Sequence, residues 1–545
     1  MNLIRFIVFA FFLGCTSTPP LKVWNAYDET AELEANQDHP IQRMRYKRIQ
    51  SQHSDRNYLF QPFVKELASF TSEEYEKLKP LILEQNIPTI QGHISQGNLT
   101  YEALTLFYLY RIYTYEMNRD TYLNALISLN PNVLKEARLC DRNRTEKVHN
   151  SLFGMPLLIK DNIDVTPMAT TAGAEVFKAN YPKKDAFIIQ KIRQEGGLIL
   201  GKLNLSEWAY YFCQGCPVGN SALGGQTLNP YGRRQFETGG SSSGSGVAVA
   251  ANYAVAALGS ETSGSILSPS GKNSVVGLKP TIGAVSRSGI VPISSSLDTA
   301  GPMAKNVIDA IILYNTIIGK DVTDSLSYES EPINLPRDFS QLLKGKRLGV
   351  IRDFEDDSLM KIAVSKLKEA GAEVFTIDPP SITLTSFRTL LDVDMAEDLP
   401  LYIQKFAGNE VKVKNVADIV SYNQQDSLLH LPYGQEIFER VATTIVTKSE
   451  FEEEKMKMMD EAISYFSIPM YQHQLDAILS IDNRSAGFAA MAHYPALGVP
   501  MGYSTVGEPQ NLTLIAPSKK ENLLFELAAG FEYVCPSRKA PKLYP

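Results

Sequence analysis

Serine hydroxyls crowd one short part of this chain, and a lysine far upstream ends an apolar run. Gly239-Gly-Ser-Ser-Ser-Gly-Ser-Gly246 is followed by Gly259-Ser-Glu-Thr-Ser-Gly-Ser-Ile266, while Gly154-Met-Pro-Leu-Leu-Ile159 leads into Lys160. A serine hydroxyl is a weak nucleophile at neutral pH, and a lysine can accept its proton only when it is desolvated and neutral. Residues 240–244 also fit the G-x-S-x-G elbow formally, with Ser242 as nucleophile. That elbow needs a strand immediately before it, and Asn229-Pro-Tyr-Gly-Arg-Arg-Gln-Phe-Glu-Thr238 is polar and turn-rich instead. Of the 7 histidines, His430, His473 and His493 lie downstream, and none stands in a setting that marks a base. Gly271-Lys272 is no phosphate cradle, because Asn273 follows it and Ile266 replaces the first glycine. Taken singly, a serine in a Gly/Ser loop is turn chemistry and a strand-end lysine is solvated. Their concentration argues for a site.

The elements that must position these groups follow from periodicity. Apolar residues at helical spacing predict helices within 63–85, 101–115 and 133–142. Residues 154–159 predict a buried strand, which puts Lys160 at its end; a helix over 186–194, a strand over 197–201 and a helix over 204–211 follow. This alternation predicts an α/β fold. The apolar run 247–258 predicts one buried element between two Gly/Ser loops, and a charged, mostly helical segment follows residue 332.

The two Gly/Ser segments, with Val276-Gly-Leu-Lys-Pro-Thr281 and Lys160-Asp-Asn-Ile-Asp164, resemble the signature of the amidase signature family in residue type, order and spacing. Gly201-Lys-Leu-Asn-Leu-Ser-Glu-Trp208 and His493-Tyr-Pro-Ala-Leu-Gly-Val-Pro-Met-Gly502 also look like family sequence. The resemblance runs from about residue 90 to 545, is weaker over 332–470, and is nearest the peptide amidase branch through Gly225-Gln-Thr-Leu-Asn-Pro230 and Val285-Ser-Arg-Ser-Gly-Ile-Val-Pro292. It implies a single large domain over 90–545, a mixed sheet with helices on both faces. Residues 16–89 would form a polar tether and helical extension. By motif position it implies Ser265 as nucleophile, Ser241 as a bridging serine behind a cis peptide, and Lys160 as base. The turn Thr262, Ser263 and Gly264 would supply oxyanion donors, with Ser242 in support and Lys279 and Pro280 structural. Ser263 stands where glycine is usual, and Leu267 where many relatives carry arginine, which favours a less charged substrate. Glu261 orients the loop, touches substrate or is a solvated loop carboxylate, and is left unassigned. No metal or organic cofactor is implied, and the expected reaction is hydrolysis of a carboxamide, the partner being a small-molecule or peptide amide.

With 545 residues, 44% hydrophobic and 21% charged, the composition is that of a folded globular chain. A net charge of −7 without a basic block argues against nucleic acid. Arg5, the apolar run 6–13, Gly14 and Cys15 read as an export signal over 1–15. Leu13-Gly14-Cys15 resembles a lipobox, so Cys15 would be a lipid anchor in the periplasm or cell envelope, and an ordinary secreted chain is the alternative. Cys213-Gln-Gly-Cys216 is a redox pair, a local disulfide or two loop cysteines. Two rival functions share the scaffold: a noncatalytic envelope protein that binds amides, and the glutaminase component of a tRNA-dependent amidotransferase, against which the export signal argues.

Overall fold

The computed structural model describes residues 21–144, 150–336 and 338–545. The expected export signal and Cys15 lie outside the described residues. In chain order the strands are β1 (Leu126–Leu129), β2 (Pro156–Lys160), β3 (Leu198–Leu203), β4 (Asn220–Ser221), β5 (Gly225–Gln226), β6 (Ala256–Glu261) and β7 (Val276–Lys279), then β8 (Thr299–Ala304), β9 (Arg347–Ile351), β10 (Glu373–Ile377), β11 (Ala477–Ile481), β12 (Ala496–Tyr503) and β13 (Pro509–Ile515). Eleven of them form one sheet in the order β1-β3-β2-β6-β8-β7-β12-β13-β11-β9-β10, and β4 and β5 make a separate ribbon. The sheet is mixed: β2 runs parallel to β3 and β6, whereas β6, β8, β7, β12, β13 and β11 pair antiparallel in turn.

Strand side chains alternate between faces, and the core shows it. Leu497, Val499, Leu512 and Leu514 join one apolar cluster with Leu524 and Phe525 of helix Glu521–Val534. Ala496, Ile515 and Ile478 join a second with Met395 of helix Phe387–Lys405 and Phe466 of helix Lys448–His473. Helices therefore cover both faces, as the resemblance implied. Helix Ile87–Ser95 runs across the boundary expected at residue 90, and Phe63 and Ile82 before it share the first cluster with Leu158 of β2. Among the described residues no helix is long and apolar enough to cross a membrane.

Two local expectations are corrected. The apolar run 247–258 is divided between helix Ser243–Ala250 and β6. The helix expected over 204–211 is absent; only a short turn, Glu207–Tyr210, forms, with left-handed φ at Trp208 (51°), Ala209 (55°) and Tyr210 (75°). The backbone there is committed elsewhere. Ser206 N–H donates to the Ser241 carbonyl (3.0 Å), Gly244 N–H to the Asn204 carbonyl (3.0 Å), and Trp208 N–H to the Ala172 carbonyl (3.0 Å). These long-range bonds override a local preference for helix.

Candidate active site

β2 and β6 are parallel neighbours, with Ile159 opposite Leu258. Their carboxyl ends therefore emerge on one edge of the sheet, the place where open α/β sheets present ligands. Lys160 at the end of β2 thus meets Ser260 near the end of β6. Helix Ser243–Ala250 brings Ser241 and Ser242 to the same edge, and it packs so closely that a Cβ on Gly244 would lie 2.4 Å from the Asn204 carbonyl oxygen. The Gly240–Ser241 peptide is cis, the arrangement that the resemblance implied.

Lys160 is fully buried, so the solvated reading of a strand-end lysine does not hold. Its Nζ lies 2.7 Å from Ser241 Oγ, 3.1 Å from the Ser260 carbonyl oxygen and 2.9 Å from Ser260 Oγ. Burial lowers this amine to about 7, against the opposing pull of the Asp298 and Glu261 carboxylates. A neutral amine has two hydrogens and one lone pair. The Ser260 carbonyl can only accept; Ser260 Oγ accepts the Asn162 amide N–H at 2.9 Å and can accept from Lys160 as well, its own proton going to Asn162 Oδ1 at 3.3 Å. The lone pair is then left for the Ser241 hydroxyl proton. The geometry thus fits a lysine that takes a proton from Ser241.

Ser265 lies in the turn before helix Leu267–Lys272. Its carbonyl accepts the Ser242 N–H at 3.1 Å, which ties its segment to the residue next to Ser241. Its side chain is partly exposed, whereas Ser241 and Lys160 are not. Ser242 is buried, and its hydroxyl donates to the Ser260 carbonyl (3.0 Å) and accepts the Ser260 N–H (3.2 Å). It buttresses β6 rather than standing on an elbow, because no strand precedes it within 227–241.

The Thr262-Ser-Gly-Ser265 turn is organised by Glu261. This buried carboxylate accepts the N–H groups of Gly264 (2.7 Å), Ile266 (2.6 Å) and Leu267 (3.0 Å). The Gly264 N–H, expected among the oxyanion donors, is therefore already engaged. Among the described residues the N–H groups of Thr262, Ser263 and Ser265 donate to no protein acceptor. Gly264 has φ of 91°, which a side chain rarely adopts, and this conformation lets the chain fold back over Glu261. The Leu267 side chain is buried in the second apolar cluster.

Sequence reasoning did not single out Ser260, Asn162, Asp298 or Lys202. Asp298, the residue before β8, accepts the Thr262 hydroxyl; burial pushes it up to about 6, against that hydrogen bond. Lys202 on β3 pairs with Asp161 at 2.8 Å, both fully buried, and so fixes the residue after Lys160. Nearby, Tyr402 Oη donates to Asp164 at 2.7 Å; burial pushes the Asp164 carboxyl up to about 7. Lys279 is buried with its Nζ on the Pro280 carbonyl (2.9 Å). Cys213 and Cys216 form a disulfide.

With the two Gly/Ser segments and the buried lysine at one sheet edge, the chain belongs to the amidase signature family, whose model, described as Amidase, matches residues 103–480. It is a hydrolase of amide bonds, in keeping with its relatives. It is 33% identical to a probable amidase of Arabidopsis thaliana over 85% of this chain and 92% of that one. It is 28% identical to a glutamyl-tRNA(Gln) amidotransferase component of Clostridium botulinum, over 81% of this chain and 96% of the other. Among solved structures, an amidase family protein of Bacillus anthracis superposes with a TM-score of 0.86 at 34% identity, covering 91% of this chain and all of that one. The peptide amidase of Stenotrophomonas maltophilia does so with a TM-score of 0.78 at 36% identity, covering 84% and 98%.

Proposed function

We propose that this protein hydrolyses linear carboxamides through an acyl-enzyme on Ser265, with Ser241 as proton relay and Lys160 as base. Ser265 Oγ bonds to the substrate carbonyl carbon; its proton passes to Ser241 Oγ as the Ser241 proton passes to Lys160 Nζ. The oxyanion meets the N–H groups of Thr262, Ser263 and Ser265, donors in a preorganised turn that are worth roughly 3 kcal/mol each. Collapse breaks the C–N bond, and the proton returns through Ser241 to the departing nitrogen. Water then cleaves the ester by the same relay, which releases the acid and restores Ser265. The observation that carries this reading is the 2.7 Å contact between a fully buried Lys160 amine and Ser241 Oγ. The 36% identity to a peptide amidase makes peptide C-terminal amides the first class to try. The test is ammonia release from a panel of peptide, aryl and fatty amides. Turnover that Ser265→Ala abolishes in a folded protein supports the reading; stoichiometric binding without release by the wild type moves the protein to the amide-binding class.

A second reading is the glutaminase component of an amidotransferase, supported by the 28% identity to the Clostridium botulinum protein. Glutamine as the preferred ammonia source, with turnover that depends on a partner chain, would favour it. The export signal expected over 1–15 supports the exported enzyme, and the mass of the mature N-terminus from its native host decides whether Cys15 begins a lipidated chain.

A further inference from the structure

Asp298 accepts the Thr262 hydroxyl on one oxygen and the N–H groups of Ile293 (2.8 Å) and Ser294 (2.9 Å) on the other. The loop 293–298 thereby carries the group that holds Thr262. What holds the loop comes from far along the chain. Helix Phe387–Lys405 directs two buried carboxylates, one turn apart, at it. Asp394 accepts the Ser294 hydroxyl and the Ser296 N–H (3.3 Å), and Asp398 accepts the Ser295 N–H (2.6 Å). Carboxylates four residues apart on a helix repel each other, and burial makes an uncompensated pair costly. Lys448, the first residue of helix Lys448–His473, supplies the compensation. Its ammonium pairs with Asp398, stands 3.9 Å from Asp394, and donates to Ser295 Oγ at 2.7 Å. Arg287, paired with Asp324, donates to the Ser295 carbonyl from the same loop's upstream arm.

We propose that Lys448 is a positioning residue for the oxyanion turn, acting through Asp394, Asp398 and the loop 293–298 on Asp298 and Thr262. The inference rests on the reading of that turn given above. A long segment in which the family resemblance is weakest thereby sets the geometry of the segment in which it is strongest. Lys448 is 28% exposed in its side chain, so replacing it opens no cavity in the core. What is lost is the charge that lets two carboxylates hold the loop together.

The experiment is the labelling of Ser265 by a fluorophosphonate, whose P–O oxygen occupies the oxyanion position, resolved into kinact and KI on the full chain. Lys448→Met is expected to lower kinact per folded protein roughly tenfold, the scale of a small misplacement of a reacting group, with KI little changed and a lower melting temperature, because Asp394 and Asp398 lose their cation. Lys448→Arg is expected to restore most of the rate. Ser295→Ala, which removes one contact without exposing a buried charge, should lower kinact less. Wild-type kinact in folded Lys448→Met overturns the proposal. So does a fall in kinact that follows loss of folded protein alone. Failure of the wild type to label at Ser265, by contrast, removes the reading of the turn itself and this proposal with it.

Discussion

Replacing Glu261 with glutamine changes one atom and should separate the scaffold of the turn from its chemistry. The carboxylate accepts three N–H groups at 2.7, 2.6 and 3.0 Å, two of them on one oxygen. The amide keeps a single acceptor oxygen. If that oxygen serves Ile266 and Leu267, the amide nitrogen faces the Gly264 N–H, a donor now buried and unmatched. An unsatisfied buried donor costs about 1–3 kcal/mol, and bonds to a neutral acceptor are weaker than those to a charged one. A loss of about 3 kcal/mol is expected, equivalent to about 3 °C in melting temperature for a chain of this length. The rate should suffer more than the fold. Tilting the 262–265 turn misaligns several oxyanion donors together, so kcat should fall roughly 10²-fold with KM little changed. Loss of the Glu261 charge also removes one of the groups that raise Lys160, so the pH midpoint should move downward. The assay is initial-rate amide hydrolysis across pH, beside thermal melting. A Glu261→Gln enzyme with wild-type kcat and an unshifted midpoint would refute the idea that this carboxylate sets the turn.

Further outcomes follow from the buried charges. Lys160 must be neutral to accept a proton, and its amine sits at about 7. Acylation of Ser265 should therefore rise tenfold per pH unit below about 7 and level off above it; a pH-independent rate from about 5 to 9 would remove Lys160 as the base. The same depression bears on stability: between about 7 and the unfolded lysine value near 10.4 the unfolded chain holds a proton that the folded one does not, so this group's contribution to stability rises with pH over that window. Lys202→Met strands the fully buried Asp161 without its cation and should cost about 3–5 kcal/mol. Chemical denaturation checks it, and an unchanged midpoint would mean that Asp161 finds another donor.

The local parts of the site were legible because their chemistry is local. Gly/Ser runs, a lysine after an apolar strand, and small residues at tight turns each leave a compositional mark at the position where they act. Ser260 left none, because its contact with Lys160 depends on the parallel register of β2 and β6, strands far apart in the chain. Glu261 was visible but ambiguous, since nothing in the sequence says that the chain turns back over it at Gly264. The left-handed turn at Trp208 to Tyr210 ran against expectation, because its backbone bonds go to Ala172 and, from Ser206, to Ser241. Asp394, Asp398 and Lys448 reach the site through helices whose charged residues look like an ordinary solvated face.

In the proposed mechanism Ser265 carries the acyl group and Lys160 drives its formation. The most direct test is reaction of the purified protein with a fluorophosphonate followed by peptide mapping, beside the Lys160→Ala variant. A single adduct on Ser265 is predicted in the wild type, formed orders of magnitude more slowly without Lys160. An adduct on Ser242, or equal labelling of Ser265 in the Lys160→Ala protein, would contradict it.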